Sequence, residues 1–304
     1  MVVHRIGCEK PEVPRRLLTS RGSATGDIDG DWIEEVAVGS YPGKSGDKGK
    51  DFDGKDSGCG IVKIYQYTGG QLTDTGIVLY PYKKEWYEAA PNIALADVDG
   101  DGVPELITAP GPDPDAVAKI KVFKIETNDG AGQWKIASHL PEFVVDFGEE
   151  SENQGRADSN QNKDPHNTYG ANIAAGDIDG DGRTEIILGA GPDPKNSSVV
   201  KVFRGDGTFT GIQFSAFPDR HSNHGEKDWD HEIESSYRYG VYVAAGDLDG
   251  DGISEIIVGA GPDPQNKAWV RIFNGDGTPM SNGFFAYPED IKYGVRPSGI
   301  NVIR

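Results

Sequence analysis

Apolar residues in this chain come in short runs such as Val36–Val38 and Ile186–Leu188, closed by Gly, Pro, Asp or Asn. Two textures recur in a fixed order. The first is a β-branched run that opens on a glutamate: Glu35-Val36-Ala37-Val38, Glu105-Leu106-Ile107-Thr108, Glu185-Ile186-Ile187-Leu188 and Glu255-Ile256-Ile257-Val258. The second alternates apolar with polar: Ile61-Val62-Lys63-Ile64-Tyr65, Ile120-Lys121-Val122-Phe123, Val200-Lys201-Val202-Phe203 and Val270-Arg271-Ile272-Phe273. In three copies a Gly-Pro-Asp-Pro turn stands between them, at Gly111–Pro114, Gly191–Pro194 and Gly261–Pro264. A further run closes the unit, as in Phe214-Ser215-Ala216-Phe217 and Phe284-Phe285-Ala286-Tyr287, and another precedes it, as in Asn172-Ile173-Ala174-Ala175. Alternation bounded by Gly and Pro is the pattern of strands, and no segment sustains the 3.6-residue period of a helix. Four strands per unit make one propeller blade. The pattern therefore predicts an all-β chain, a β-propeller of four blades with four antiparallel strands each.

An acidic phrase separates the first two strands of every unit. It begins at Asp27, Asp97, Asp177 and Asp247, at intervals of 70, 80 and 70 residues, and such self-similarity marks propellers, solenoids and arrays. The expected organisation is one domain over 1–304, with blades at about 17–87, 88–167, 168–237 and 238–295 and a terminal strand at 296–304. Tyr293-Gly294-Val295 repeats the openings Tyr169-Gly170-Ala171 and Tyr239-Gly240-Val241, but no acidic loop follows it. Ser298–Arg304 is expected to pair with the chain's first residues or with a strand of another copy, because strand edges need partners. Three polar insertions, Gly43–Gly60, Glu149–Asn167 and Asp219–Ser236, read as long surface loops; the third carries His221, His224, Trp229 and His231.

Composition narrows the function. The chain has 304 residues, 36% of them hydrophobic, and 42 glycines, which suits short strands and tight turns. Its apolar runs are too short to cross a bilayer, and no basic-then-apolar leader opens it. A net charge of −19 argues against nucleic acid as a partner, which demands clustered Lys and Arg. Cys8 and Cys59 are the only cysteines; they form one disulfide in an oxidising compartment or stay as two thiols. Asn196-Ser197-Ser198 matches the glycosylation acceptor pattern.

The charge is concentrated. Sixteen of the 49 acidic residues lie in the four loops, each reading Asp-x-Asp-Gly-Asp-x-x-x-Glu. The carboxylates are Asp27, Asp29, Asp31 and Glu35; Asp97, Asp99, Asp101 and Glu105; Asp177, Asp179, Asp181 and Glu185; and Asp247, Asp249, Asp251 and Glu255. Holding four like charges in one turn costs several kcal/mol without a cation. A turn with Asp at alternate positions aims several oxygens at one centre, and Gly at position 4 allows the reversal. The side chain at position 7 varies (Ile33, Val103, Arg183, Ile253), so this residue is expected to offer its carbonyl. Oxygen donors without His or Cys select Ca²⁺ over zinc or copper, and about four ions are expected. An EF-hand would have Gly at position 6, Glu at position 12 and helical flanks. The first loop has Trp32 where the others have Gly, so strain or a weaker ion is expected there.

These loops, with Val243-Ala244-Ala245-Gly246, Val258-Gly259-Ala260-Gly261-Pro262 and Val270-Arg271-Ile272-Phe273, resemble the FG-GAP or VCBS repeats of integrin α-subunit propellers and their bacterial relatives, over about residues 20–295. The resemblance implies a β-propeller whose Ca²⁺ loops join the first two strands of each blade. It also implies an extracellular or cell-surface setting and a role in adhesion, carbohydrate binding or assembly. No nucleophile elbow, phosphate loop or His-Glu-x-x-His stands in the sequence. The expected function is a non-catalytic binding module for a glycan or a surface protein. A structural subunit that self-associates through its terminal strands is the alternative, and a polysaccharide-active enzyme is the weaker one.

Overall fold

Seventeen strands and no helix form among the described residues, which in this computed structural model are 22–41, 59–85, 87–128, 133–147, 169–217, 237–288 and 290–299. The first sheet is β1 (Gly22–Gly26), β2 (Glu35–Ser40), β3 (Ile61–Thr68) and β4 (Gln71–Leu79), paired antiparallel in chain order. The second is β5 (Asn92–Ala96), β6 (Glu105–Ala109), β7 (Lys119–Asn128) and β8 (Gln133–His139), with β9 (Phe143–Val144) on β7 as well. The third is β10 (Ala171–Gly176), β11 (Glu185–Ala190), β12 (Val199–Phe203) and β13 (Phe209–Ser215). The fourth is β14 (Val241–Gly246), β15 (Glu255–Ala260), β16 (Trp269–Phe273) and β17 (Phe284–Phe285). The four sheets are the blades of a four-bladed β-propeller. β1, β5, β10 and β14 are its inner strands, and they line a central channel of about 540 Å³ with residues 296–299.

Two blades depart from the simple meander. In the second, the outer edge is divided between β8 and β9, so one long β7 serves two partners. In the fourth, β17 is only two residues long.

The apolar faces meet between blades. Ile64, Leu79 and Ile93 pack with Phe123 between the first and second sheets. Phe143 meets Phe203 between the second and third at 5.1 Å between ring centroids, and Phe214 meets Phe273 between the third and fourth at 4.4 Å. Strand register makes Leu79, Phe143, Phe214 and Phe284 equivalent positions, opposite Val62, Ile120, Val200 and Val270 of the alternating runs. Phe284 lies on the outer face of the last sheet and is 54% exposed.

Turns join the blades with polar contacts. In each Gly-Pro-Asp-Pro turn the aspartate N–H donates to the first glycine's carbonyl, at 2.8 or 2.9 Å. The next blade's Tyr-Gly pair docks on the end of this turn. Gly170 donates to Ala116 at 2.9 Å, Gly240 to Asn196 at 3.2 Å and Gly294 to Asn266 at 3.1 Å. Tyr169, Tyr239 and Tyr293 take φ of 68°, 63° and 74°, which non-glycine residues rarely adopt. A Cβ on Gly170 or Gly240 would lie 2.0 Å from a carbonyl oxygen of the preceding blade, so only glycine fits. Asn92 and Asn172, both buried, donate side-chain N–H groups to Ala171 and Val241 of the next inner strand at 2.7 Å.

The end of the chain follows the same rule. Gly294 and Val295 dock on the fourth blade as Gly240 and Ala171 do on earlier ones, Val295 donating to Ala260 at 3.0 Å. Arg296–Gly299, however, form no strand, and 300–304 lie outside the described residues. The first 21 residues with Cys8, the insertions 149–167 and 219–236 with their histidines and Trp229, and most of Gly43–Gly60 also lie outside them. Cys59 is buried. Asn196 corrects the glycosylation expectation: it is 4% exposed and its amide donates to Gly191 at 2.9 Å, so it is consumed by its turn.

Candidate metal centre

Each acidic loop links the innermost strand of a blade to the next, and each is built by the same hydrogen bonds. The first aspartate accepts from the backbone at positions 4 and 6. Asp27, Asp97, Asp177 and Asp247 take the N–H of Gly30, Gly100, Gly180 and Gly250 at 2.5–2.8 Å. Their second oxygens take Trp32, Gly102, Gly182 and Gly252 at 2.8–3.0 Å. The third aspartate, at position 5, accepts from position 7: Asp31 from Ile33, Asp101 from Val103, Asp181 from Arg183 and Asp251 from Ile253, at 2.8 or 2.9 Å. Position 2, apolar in all four, faces inward and donates its N–H to one oxygen of the closing glutamate. Ile28, Val98, Ile178 and Leu248 reach Glu35, Glu105, Glu185 and Glu255 at 2.9, 3.1, 3.2 and 2.7 Å.

Position 4 has φ of 76–81° in all four loops, and position 6 has 85–93° in the three that carry glycine there. Trp32 holds φ 70° at the same place with its ring 95% exposed, so the first loop bears the expected strain.

The donors converge. Carboxylate oxygens of Asp27, Asp29 and Glu35 lie within 4.8 Å of one another, as do those of Asp97, Asp99 and Asp101; of Asp177, Asp179 and Glu185; and of Asp247, Asp249 and Asp251. All four closing glutamates are buried. Glu35 and Glu105 each leave one oxygen, Oε1, buried with no hydrogen-bond partner. Burial, then the neighbouring aspartates, raises Glu35, Glu105 and Glu185 to about pH 7 against the one backbone N–H each accepts, and Glu255 moves the same way. Asp29 is raised by burial and by Asp31. A buried carboxylate beside three others and short of donors fits a hard divalent cation, which supplies the missing positive charge.

The loops also touch one another. Thr184, at position 8 of the third loop, donates its N–H to the carbonyl of Asp97 at 3.0 Å, and Ser254 of the fourth donates to Asp177 at 2.7 Å. Pro104 has no N–H and rests its ring on Gly26 instead, 3.2 Å from where a Cβ would be. In the third and fourth loops position 7, expected only to give a carbonyl, sends its side chain over the preceding loop. Ile253 covers Gly180, and Arg183 covers Gly100 with Nε 3.1 Å from a would-be Cβ.

Comparison places the repeat. Residues 177–258, from the third loop through the fourth, match the model of the FG-GAP-like repeat. This stretch is an FG-GAP-like repeat. It holds two FG-GAP-like loops, and the first and second loops share their hydrogen bonds. No curated protein matches the chain. Among solved structures it is similar to the rhamnogalacturonan lyase YesW, with TM-score 0.42, 18% identity, and 86% of this chain and 42% of that one covered. It is similar also to the Bacillus licheniformis rhamnogalacturonan lyase PL11, at TM-score 0.39, 17% identity and coverage of 86% and 41%. The exotype rhamnogalacturonan lyase YesX follows at 0.36, 10% identity, 87% and 50%. The chain thus spans half or less of the length of each.

The reading of the residues missed two groups. Lys124, at the end of the alternating run in the second blade, reaches into the second loop. Lys119 and Lys121 share Glu85 and Glu142 at 3.1–3.5 Å beside a cleft that Tyr80, Lys83 and Phe123 also line. The sequence marks these lysines as polar positions of β7, but only the tertiary fold says what they meet.

Proposed function

We propose that the chain is a non-catalytic, calcium-binding propeller module of the extracellular space or cell surface, with one Ca²⁺ site in each FG-GAP-like loop. The ligands are the carboxylates at positions 1, 3, 5 and 9 and the carbonyl at position 7, that is of Ile33, Val103, Arg183 and Ile253. The observation that carries this reading is the buried Oε1 of Glu35, which has no hydrogen-bond partner, beside converging aspartates. An uncompensated carboxylate oxygen in such a place is costly, and a cation removes the cost. Extracellular modules bind Ca²⁺ with Kd of about 10⁻⁴ to 10⁻³ M, which suits that setting. The module presents its loops and blade surfaces to a glycan or a surface protein. Calorimetric titration of chelator-stripped protein tests the core of the proposal: Ca²⁺ uptake at the loops is expected, and no uptake at millimolar Ca²⁺ would end it. Turnover of an acidic or neutral glycan by the purified protein would replace the non-catalytic reading with an enzymatic one.

A second reading, a subunit of a surface assembly, is favoured by the outer face of the fourth blade. Phe284, Tyr287 and Tyr293 are 54%, 57% and 64% exposed there, whereas Phe214 and Phe217 on the third blade are packed against Phe273 and Trp269 of the fourth. Sedimentation velocity decides: assembly that Phe284→Ser weakens supports it, and a monomer at all concentrations excludes it.

A further inference from the structure

One position, equivalent in all four blades by strand register, is occupied differently each time. It follows the aromatic residue that ends the alternating run: Gln66 after Tyr65, Lys124 after Phe123, Arg204 after Phe203 and Asn274 after Phe273, aligned by the pairing of those aromatics with Val36, Leu106, Ile186 and Ile256. Gln66 gives one long hydrogen bond to Asp29, 3.3 Å. Asn274 turns to Thr278 in its own turn at 2.8 Å, and Arg204 sits beside Asp206. Of these four residues, only Lys124 forms ion pairs with its loop. Its Nζ donates to Asp99 at 3.1 Å and to Asp101, and lies 3.8 Å from Oε1 of Glu105, the oxygen that has no hydrogen-bond partner.

A second cation approaches from the other side. Arg183 of the third loop lies over Gly100, where the fourth loop sets the uncharged Ile253 over Gly180 and the second sets Pro104 against Gly26. Among the described residues, then, the second loop has an ammonium inside and a guanidinium above, and the first and third loops have neither.

We propose that Lys124 is a tethered cation of the second loop: its ammonium stands between Asp99, Asp101 and Glu105 in the space a metal ion takes in the other loops, so the second site is compensated from within and binds Ca²⁺ more weakly. Resting on the calcium reading above, the inference says that the four sites are unequal and names the residue responsible. Ca²⁺ can enter the second loop only by expelling Lys124, which forfeits its ion pairs, and by settling beside Arg183. Exposed ion pairs are modest individually, but two or three lost together with like-charge repulsion gained are enough for a deficit of about tenfold or more in affinity. The same lysine keeps the second loop closed when calcium is withdrawn, so it holds its shape where the others lose theirs.

The decisive variant is Lys124→Gln, which gives the second loop the residue the first loop has. Chelator-stripped wild type and K124Q are titrated with Ca²⁺ by calorimetry, with Lys135→Met, a change to a lysine paired with Glu126 on the exposed β7–β8 hairpin, as control. Wild type and control are expected to show one site at least tenfold weaker than those of the first and third loops, and K124Q to bring it level with them. In chelator, K124Q should melt below wild type; in saturating Ca²⁺ it should melt at or above it. Four equal sites in wild type, or a weak site unchanged in K124Q, overturns the tethered cation and leaves the calcium reading standing. No binding by any of the three proteins overturns both. Should K124Q fail to fold, K124M keeps the stem and removes the charge, and the same outcomes apply.

Discussion

A single oxygen atom separates a stabilising glutamate from a costly one in these loops. Glu35 gives Oε2 to the N–H of Ile28 and leaves Oε1 buried without a partner. Glu35→Gln is therefore expected to act in opposite directions according to the metal. In excess Ca²⁺ it should remove one bound ion and about 2.7 kcal/mol of stability at a hundredfold excess over Kd. In chelator it should be neutral or stabilising, because it discharges a buried carboxylate. Urea unfolding under the two conditions measures both. Trp32 offers a second test. Its left-handed backbone costs about 1–2 kcal/mol relative to glycine, and its exposed ring returns little. Trp32→Gly should raise the free energy of unfolding, measured by urea denaturation, by up to about 1 kcal/mol, after the entropy a glycine adds to the unfolded chain.

Strands and turns carry the next level of order. Asn172→Ala leaves the carbonyl of Val241 without its 2.7 Å donor between two inner strands, and a loss of about 1–3 kcal/mol is expected by chemical denaturation. The Glu85 cluster sets an acid limit. Lys121 and Lys119 hold the Glu85 carboxyl below its ordinary 4.5 against the opposing effect of burial. A carboxyl lowered by folding contributes stability that is full above its unfolded value and lost as pH falls through its folded one. Melting temperature should accordingly drop more steeply below pH 4.5 in wild type than in Glu85→Gln. At this scale the sequence was legible where local chemistry repeats. Alternation placed the strands, the glycines placed the turns, and the carboxylate spacing placed the loops. What it left out is contact across blades. Lys124 reads as one more polar residue on β7 until the fold brings the second loop beside it, and Arg183 reads as a variable position until its neighbour is known. The division of one outer edge between β8 and β9 was equally hidden, since the length of β7 is set by two partners it meets only in the sheet. Asn196 matched a modification pattern and turned out to be turn structure.

Blade packs against blade across a row of aromatic side chains, loop bonds to loop along one rim, and inner strands are tied by buried amides. Metal at the loops would brace this whole arrangement, so EDTA should lower the melting temperature of the intact protein by far more than one loop variant does. A melting curve unmoved by EDTA would count against structural calcium. The order of packing also has a consequence during synthesis. Every strand of a blade lies within about 60 residues of its partners, so a blade can form soon after its last strand leaves the ribosome. Its outer face must then wait for the next one. While the fourth blade is being made, at about 5–20 residues per second, Phe214 and Phe217 are bare for roughly 4–14 seconds. The nascent chain thus passes, at each 70-residue step, through a sticky intermediate of known position and short life, and a chaperone that captures exposed aromatic surface would meet it there.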